Sequence, residues 1–359
     1  MALRPSTGLR QHGLRMSAPA VARLSSPGEI VAVLPSLCGF RPDESLVLLS
    51  LRGARKRLGL TVRVDLPSEP DDVAVAELCL DRMAADGADA VVVVVFSQRG
   101  PRPGLVAAVS TACATRCLDV LEALHVDGEV WTSYTCTGAC CPPTGSPVPV
   151  APPVLDLVRA EQAASGRSLL TSREELVRSV APPTLLAAAR AGQRLDEAQR
   201  AERRYRRERG AGAARSRTLE QAERLLDRVA EGGAVTPEEA AALTVGLADV
   251  AARDDLATRL LTRSDELLSL LLQVAREVTP PHDAPVCALL AWTAYGRGDG
   301  ALANVALDRA LAGSPDDSLA LLLRQCLDAG VPPDELRWLA GATGRALRGR
   351  RVARARRPR

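Results

Sequence analysis

Residues 89–97 read DAVVVVVFS and decide the fold, because this run is apolar on both of its alternating faces. Successive side chains of a strand point to opposite sides of a sheet, so such a strand needs cover on both sides. Central strands of α/β sheets meet this need, since helices pack on each face. The stretch therefore predicts a buried strand in the middle of a sheet flanked by helices.

Two pairs of strands are predicted around this run. On its N-terminal side, ESLVLLSLR (44–52) and RLGLTVRVDLP (57–67) are rich in leucine and β-branched residues and are separated by the polar GARK, a pattern typical of a hairpin. On its C-terminal side, EALHVDGEVWTSY (122–134) contains an Asp127-Gly128 pair, which favours a tight turn between two short strands. The central run therefore has candidate partners on both sides in sequence.

Three helices are predicted, one before these strands and two between them. The first begins with the capping-box pattern S-P-G-E at Ser26 and ends at Gly39. Pro35 is expected to kink or divide it, because proline lacks the backbone N–H of a helical hydrogen bond. Apolar residues at helical spacing predict two more helices, over residues 71–86 and 104–122. We therefore expect an α/β domain in which helices pack on a mixed sheet.

The chain changes character after the proline-rich CPPTGSPVPVAPP (141–153), whose prolines disfavour helix and strand alike. Beyond it, alanine and leucine recur at helical spacing, and helix starts are predicted at Ser172 and Thr236, each three residues before a glutamate. An all-α domain is therefore expected to follow the α/β domain. The predicted units are a disordered N-terminus, the α/β domain, a linker, the helical domain and a basic disordered tail, over residues 1–20, 21–140, 141–153, 154–344 and 345–359.

One stretch of the second half, residues 287–315, resembles a single tetratricopeptide repeat. With Gly298 at the turn between two helices, small residues fall at Ala291, Ala303 and Ala310, where they let the helices approach closely. No second copy follows at the repeat period, so an array is not predicted. Such a helical hairpin is either core packing or one wall of a peptide-binding groove.

The composition indicates a globular chain that is neither exported nor inserted in a membrane. Its 359 residues are 47% hydrophobic and carry a net charge of +3, and no apolar run reaches the ~18 residues of a membrane span. The first 16 residues lack the apolar core of a secretion signal, and Met16 is a candidate for the true start. The odd count of nine cysteines predicts a reducing compartment, so we expect a cytoplasmic location.

Nucleotide and nucleic-acid binding have little support in the sequence. It contains no GxxxxGK[ST], and no GxGxxG follows a predicted strand, so the motifs that cradle phosphates are missing. Aromatic residues make up 2% of the chain, which is too few for base stacking. The exception is the tail over residues 345–359, whose eight arginines either attract nucleic acid or acidic lipid or form the solvated end of a helix.

Several ordered blocks together resemble a known family. They are LPSLCGFRPDESLVLL, VRVDLP, WTSYTCTGACCPPTG, LLTSREELV and AWTAYGRGDGALANVALDRAL. In this order and at this spacing they are similar to an actinobacterial family of uncharacterised proteins, domain of unknown function 4192, over most of residues 21–335. The resemblance implies kinship and carries no activity with it.

Two polar stretches are expected to meet at one edge of the sheet. GFRPDES precedes the first strand of the N-terminal hairpin and VRVDLP ends the second, so antiparallel pairing places them side by side. Paired arginine and aspartate there could hold an anionic ligand, or a carboxylate could act as a base. The structural alternative is a turn, a strand start and an ion pair. The candidate ligand-binding residues are Arg41, Asp43, Ser45, Arg63 and Asp65.

The second candidate site is the loop TCTGACCPPTG (135–145), which contains Cys136, Cys140 and Cys141. Thiolates bind zinc, although the two CxxC pairs of zinc ribbons are missing here. The three interpretations of this loop are zinc binding, redox chemistry of adjacent thiols, and structural packing at the boundary between the domains.

Further donors for such a site lie upstream in the sequence. Cys113 and Cys117 are four residues apart on the predicted helix and share a face, so they could complete a metal or redox site if that helix ended over the loop. His125 is another possible donor. Two cysteines on the inner face of an alanine-rich helix are equally compatible with ordinary core packing.

No catalytic residue is assigned from the sequence. The chain has three histidines, and none accompanies a nucleophile in the manner of a Ser-His-Asp triad. The leading hypothesis is therefore a non-enzymatic, cytoplasmic protein-binding or regulatory module that engages a protein partner through its helical domain. The alternative is an enzyme or small-ligand sensor that uses the polar cluster of the α/β domain.

Overall fold

The computed structural model describes residues 23–164 and 169–342. The predictions for residues 1–20, for Met16 and for the arginine-rich tail lie outside the described residues. The strands are β1 (Ser45–Arg52), β2 (Arg57–Asp65), β3 (Ala90–Phe96), β4 (Asp119–Asp127), β5 (Val130–Ser133) and β6 (Ser146–Pro147). The helices that surround them are α1 (Pro27–Cys38), α2 (Asp72–Ala85), α3 (Pro103–Thr115) and α4 (Pro153–Ala164).

These strands form one mixed sheet in the order β2-β1-β3-β4-β5-β6. β3 and β4 are parallel, and the other neighbouring strands are antiparallel. Every residue of β3, the valine run, is buried. Its side chains alternate between two cores, one beneath α2 and α3 and the other beneath α1. The structure thus confirms a mixed sheet with helices on both faces and the valine run at its centre.

The third helix is shorter than the sequence indicates. α3 ends at Thr115, and Cys117 turns the chain with a φ of 56°, so that β4 begins at Asp119. The prediction of a helix over residues 104–122 was wrong at its C-terminal end. The apolar residues there fit a strand as well as a helix, and parallel pairing of β4 with β3 decides between the two.

Proline neither divides α1 nor keeps the segment 141–153 free of strand. α1 runs without division through Pro35, because apolar side chains on both sides of it, Val31 and Cys38 among them, pack on the sheet. In the proline-rich segment 141–153, Ser146 and Pro147 add β6 to the edge of the sheet, where proline is tolerated. Downstream, α4 packs on α1 rather than on the helices that follow.

The rest of the described chain is largely helical, as predicted. The side chains of Ser172 and Thr236 accept the expected capping hydrogen bonds at the starts of α5 and α7. The long α6 is interrupted at Gly210, whose φ of 84° and ψ of 162° are not helical. The helices are α5 (Arg173–Ser179), α6 (Leu185–Ala230), α7 (Pro237–Leu247), α8 (Val250–Ala257), α9 (Ser264–Glu277), α10 (Ala284–Gly296), α11 (Gly300–Gly313) and α12 (Ser318–Asp328).

α10 lies at the centre of the helical core, with every residue buried except Pro285. It packs against α11 after a turn at Gly298, whose φ is 79°. The predicted pair of helices is therefore present, and neighbouring helices pack around α10 on all sides. The likeness of this pair to a tetratricopeptide repeat remains a prediction.

A buried ion pair joins three of these helices. Arg309 of α11 donates to the carboxylate of Asp283 at 2.7 Å and to the carbonyl oxygens of Ala275 and Val278, each at 2.8 Å. The Asp283 side chain is fully buried and that of Arg309 is 9% exposed. Because the guanidinium N–H groups meet acceptors on α9 and just before α10, this arginine fixes how the helices pack.

The two halves meet at Phe40, which follows α1. Its ring is 3% exposed and belongs to the helical core, where Leu176 and Val180 of the α5 region also pack. Phe40 forms an isolated parallel bridge with Leu170, and the Leu170 N–H donates to the Gly39 carbonyl at 3.0 Å. Over residues 23–164 and 169–342, no helix combines the length and the apolar character that crossing a membrane requires.

Candidate functional site

The first candidate site is a cleft at the edge of the sheet where β2, β3 and β4 end. Ser45, at the start of β1, pairs with Asp65 of β2 and with Phe96 of β3, and Phe96 pairs with Val126 of β4. Ligands of open α/β sheets bind beyond the carboxyl ends of strands because loops diverge there and leave a crevice. Here the crevice is a polar cavity of about 780 Å³.

Four of the five predicted ligand-binding residues line this polar cavity, namely Arg41, Asp43, Arg63 and Asp65. The fifth, Ser45, is fully buried behind them. Its hydroxyl donates to the Asp43 carbonyl at 2.5 Å and accepts from Arg63 Nε at 3.0 Å. Ser45 therefore positions its neighbours and has no contact with the space in the cleft.

Arg63 is held from several directions. Besides the bond to Ser45, it forms a 2.7 Å ion pair with Asp65, and its guanidinium carbon lies 5.5 Å from the centre of the Phe40 ring. The side chain is only 16% exposed, whereas Asp65 is 74% exposed. The ion pair of the structural interpretation is thus present, and it presents a fixed guanidinium to the cavity.

Arg41 and Asp43 differ from this pair because they are exposed and have no ion-pair partner among the residues the structure describes. Arg41 donates one N–H to the Gly128 carbonyl at 3.2 Å, which leaves its other donors for a ligand. Charges that the fold does not use are the ones available for recognition.

A third acidic residue of the cleft, Glu44, was not predicted from the sequence, and neither were the residues that bind it. Glu44 adopts a φ of 38° and accepts from the Gln98 N–H at 2.9 Å and from Ser97 Oγ at 3.3 Å. Arg99 lies 3.6 Å from the same carboxylate. Ser97, Gln98 and Arg99 directly follow the buried strand β3, and that position at a strand end is the signal that could have identified them.

The helical half contributes the remaining wall of the polar cavity through Thr171, Ser172, Arg173 and Glu174. A hydrogen bond from the Ser172 side chain lowers the pKa of Glu174. The backbone N–H of Glu174 and the charge of Arg173 make smaller contributions in the same direction. No local pattern in the sequence links this segment to the sheet, because the link is the bridge between Phe40 and Leu170.

A second, apolar cavity of about 460 Å³ adjoins the polar one. Side chains of α1, β3 and the start of α4 line it, including Val31, Pro35 and Leu155. Both cavities share lining residues, among them Arg41 and Phe96. Arg41 therefore stands where a polar space and an apolar space meet.

The second candidate site is the cysteine loop. The Sγ atoms of Cys136, Cys140 and Cys141 all lie within 4.8 Å of one another, and those of Cys136 and Cys140 are 3.6 Å apart. The Gly138 N–H, followed by the neighbouring thiols, lowers the pKa of Cys136. Desolvation and the neighbouring sulfurs raise the pKa of Cys141 to about 12. Cys136 and Cys141 thus differ in how readily they ionise.

The upstream donors do not join this group. Cys113 is 1% exposed in the core beneath α3, and burial raises its pKa to about 11. Cys117 lies beyond the end of α3, so the two do not share a helical face as predicted. The ring of His125 is buried and its Nε2 lies 2.9 Å from the Ser97 carbonyl, away from the thiols.

Both candidate sites lie within the residues that a protein-family model matches. A family model described as a domain of unknown function (DUF4192) matches residues 27–334, which include the α/β half, the cleft, the cysteine loop and the described helices as far as α12. Searches of curated proteins and of solved structures gave no match. Because the match covers well over half of the sequence, the chain belongs to the DUF4192 family.

Proposed function

We propose that this protein binds a small organic anion in the cleft at the carboxyl ends of β2, β3 and β4. The observation that carries the proposal is the exposed guanidinium of Arg41, which has no ion-pair partner in the described chain and lines both cavities. This is the ligand-sensor alternative of the sequence analysis, with the polar cluster as its binding surface.

The arginines favour an anion with two or more oxygen atoms. A guanidinium presents several N–H groups in a planar fork that matches a carboxylate or a phosphate. Arg63 supplies a fork already held by Ser45 and Asp65, so little side-chain entropy is lost when a ligand binds beside it. Arg41 supplies a second fork, of which one N–H is engaged by the described residues.

The two cavities also restrict which chemical groups the ligand can carry beside its anionic group. The apolar cavity begins beside Arg41 and extends between α1 and the start of α4, so an anion bound at Arg41 can place an apolar group there. Asp43, exposed and without an ion-pair partner among the described residues, suits a donor group on the same molecule. A carboxylate or phosphate with an apolar substituent fits this combination best.

A thermal-shift screen of organic carboxylates and phosphates on the full chain tests the proposal, followed by calorimetry on the best compound. We expect Arg41→Gln to weaken its binding at least about tenfold, because a charge-assisted hydrogen bond contributes about 1.5–3 kcal/mol. Asp43→Asn should change which compounds bind.

The matched control is Arg55→Gln. Arg55 is an exposed arginine in the turn between β1 and β2, at the opposite end of those strands from the cleft. The Arg55→Gln variant should bind the compound as tightly as the unaltered protein does. The proposal fails if no compound stabilises the protein, or if both glutamine variants bind equally well.

The protein partner expected at the helical half remains a second proposal. The hairpin of α10 and α11 suggested a peptide-binding groove. Because α10 is enclosed by other helices, a partner of this hairpin would contact the outer face of α11 or of the adjoining α12. Leu321 and Leu322 of α12 are 42% and 52% exposed there. Co-purification of a defined partner that is lost in a Leu321→Ser, Leu322→Ser variant would support it.

The cellular setting is likewise proposed. All nine cysteines are free thiols, which favours the reducing cytoplasm expected from the sequence. The actinobacterial origin follows from the resemblance of the sequence blocks. Nucleic-acid binding is proposed for nothing except the arginine-rich tail.

A further inference from the structure

The loop between β5 and β6 brings together three thiols whose arrangement is independent of the anion cleft. We propose that Cys136, Cys140 and Cys141 bind one zinc ion, with the fourth coordination position open to water or to an added ligand. The proposal assigns chemistry to side chains that neither the fold nor the cleft requires.

The spacing of the sulfur atoms fits zinc. With zinc–sulfur bonds of ~2.3 Å, two thiolates of a tetrahedron stand roughly 3.8 Å apart. Cys136 Sγ and Cys140 Sγ are 3.6 Å apart, and Cys141 Sγ lies within 4.8 Å of both. A disulfide would require about 2.05 Å, so these are separate thiols. A cation at the centre of the group reaches all three with small side-chain rotations.

The backbone holds the loop in this shape. Ser133 Oγ, at the end of β5, accepts from the N–H groups of Thr135 at 3.2 Å and Cys136 at 3.0 Å. The Cys141 N–H donates to the Gly138 carbonyl at 2.9 Å, and this closes a turn that contains Cys140 and Cys141. The ligands are therefore brought together before any metal binds, which reduces the ordering cost of binding.

Gly138 lies directly beside the sulfur pair. A β-carbon at this position would lie 3.6 Å from Cys140 Sγ and 3.7 Å from Cys136 Sγ, in ordinary van der Waals contact with both atoms. Cys140 is exposed, whereas Cys136 and Cys141 are partly buried. The open fourth position therefore points to solvent, as in zinc sites that have three protein ligands and a water.

The zinc site also has a structural consequence. Cys141 packs beside the core under α1, and the next turn leads into β6, which closes the edge of the sheet. A metal held by Cys136 on one side and Cys141 on the other would tie the end of β5 to the start of β6. Zinc binding should therefore stabilise this edge of the sheet as well as fill the loop.

The test uses the full chain, purified without a metal-binding tag, treated with chelator and reductant, and dialysed against zinc. We expect about one zinc per chain by elemental analysis, and a higher melting temperature with zinc than without. Cobalt in place of zinc should give sulfur-to-metal charge-transfer absorption and the visible bands of a tetrahedral ion.

Two variants make the test specific. Cys136→Ser with Cys140→Ser should weaken zinc binding by more than about tenfold, since even the loss of an outer-shell partner costs that much. Cys117→Ser is the matched control, because Cys117 is an exposed free thiol outside the loop. If the double variant does not fold, Cys140→Ser alone, at an exposed position, reports the same loss through the cobalt spectrum.

Any one of three results overturns the proposal. The first is an unaltered protein that retains no zinc after dialysis. The second is a cobalt complex without sulfur-to-metal absorption, and the third is zinc binding that survives in the loop variants. All three results are independent of anion binding, so they leave the proposed function of the cleft to its own test.

Discussion

Two arginines of this molecule, Arg309 in the helical core and Arg41 in the cleft, show two different uses of a charge. Arg309 is almost fully buried and meets a carboxylate and main-chain carbonyl groups of neighbouring helices. Arg41 is exposed, meets one carbonyl group and has no ion-pair partner in the described chain. The first charge is accounted for by folding, whereas the second remains available for recognition.

Substitution of the two arginines should lower the free energy of unfolding by very different amounts. Arg309→Met should cost about 3–5 kcal/mol of unfolding free energy, because it leaves the fully buried Asp283 carboxylate without a counter-charge. Urea titration followed by circular dichroism measures the change. Arg194→Met, which removes an exposed ion pair with Glu238, is the control and should cost less than about 1 kcal/mol.

A double substitution sharpens this prediction. Arg309→Met with Asp283→Leu removes both charges and should recover much of the lost stability, because a buried pair can be replaced by apolar side chains at little cost. A double variant as unstable as Arg309→Met alone would show that the hydrogen bonds to Ala275 and Val278, rather than the charge pair, hold the helices together.

Substitution of Ser45 should lower the free energy of unfolding by less than that of Arg309 and by more than that of Arg41. Ser45→Ala should cost about 1–3 kcal/mol, because Arg63 Nε loses its acceptor in a partly buried position. The same variant should weaken anion binding, since Arg63 is no longer held. Ser68→Ala, at an exposed hydroxyl, should change stability by less than about 0.5 kcal/mol, and equal effects at the two serines would contradict the positioning role of Ser45.

The smallest effect on stability is expected at Arg41. Arg41→Gln should leave the unfolding free energy within about 0.5 kcal/mol of the unaltered protein, because its single hydrogen bond is exposed. Measured by the same urea titration, a loss as large as that of Arg309→Met would remove the distinction between the two charges and would make Arg41 a structural residue.

The elements with local signals were predictable from the sequence. The valine run, the caps at Ser172 and Thr236, and the left-handed turn at Gly39 follow from residue type and spacing. Cys117 adopts a left-handed conformation without being glycine or asparagine, so the end of α3 had no such signal. The choice between helix and strand at β4 depended on pairing with β3, which is distant in the sequence.

Distance along the sequence also decides which parts of the two candidate sites could be predicted. Arg41 and Asp43 precede β1, and Arg63 and Asp65 lie at the end of β2, so their proximity followed from the antiparallel pairing of this hairpin. The segment 171–174 reaches the cleft only through packing of the helical half. The three thiols of the cysteine loop are neighbours in the chain, whereas the shape of their loop depends on the short strand β6, which the prolines did not suggest.

Phe40 limits how this protein can be divided or recombined. By position in the chain it belongs to the α/β half, yet its ring fills a space in the helical core. A gene fragment that ended in the proline-rich segment would encode a sheet with an uncovered aromatic ring, and the remaining fragment would encode helices with a cavity where that ring packs. Exchange of either half with a foreign one would meet the same mismatch, so we expect the pair to be inherited together, as the extent of the family match also indicates.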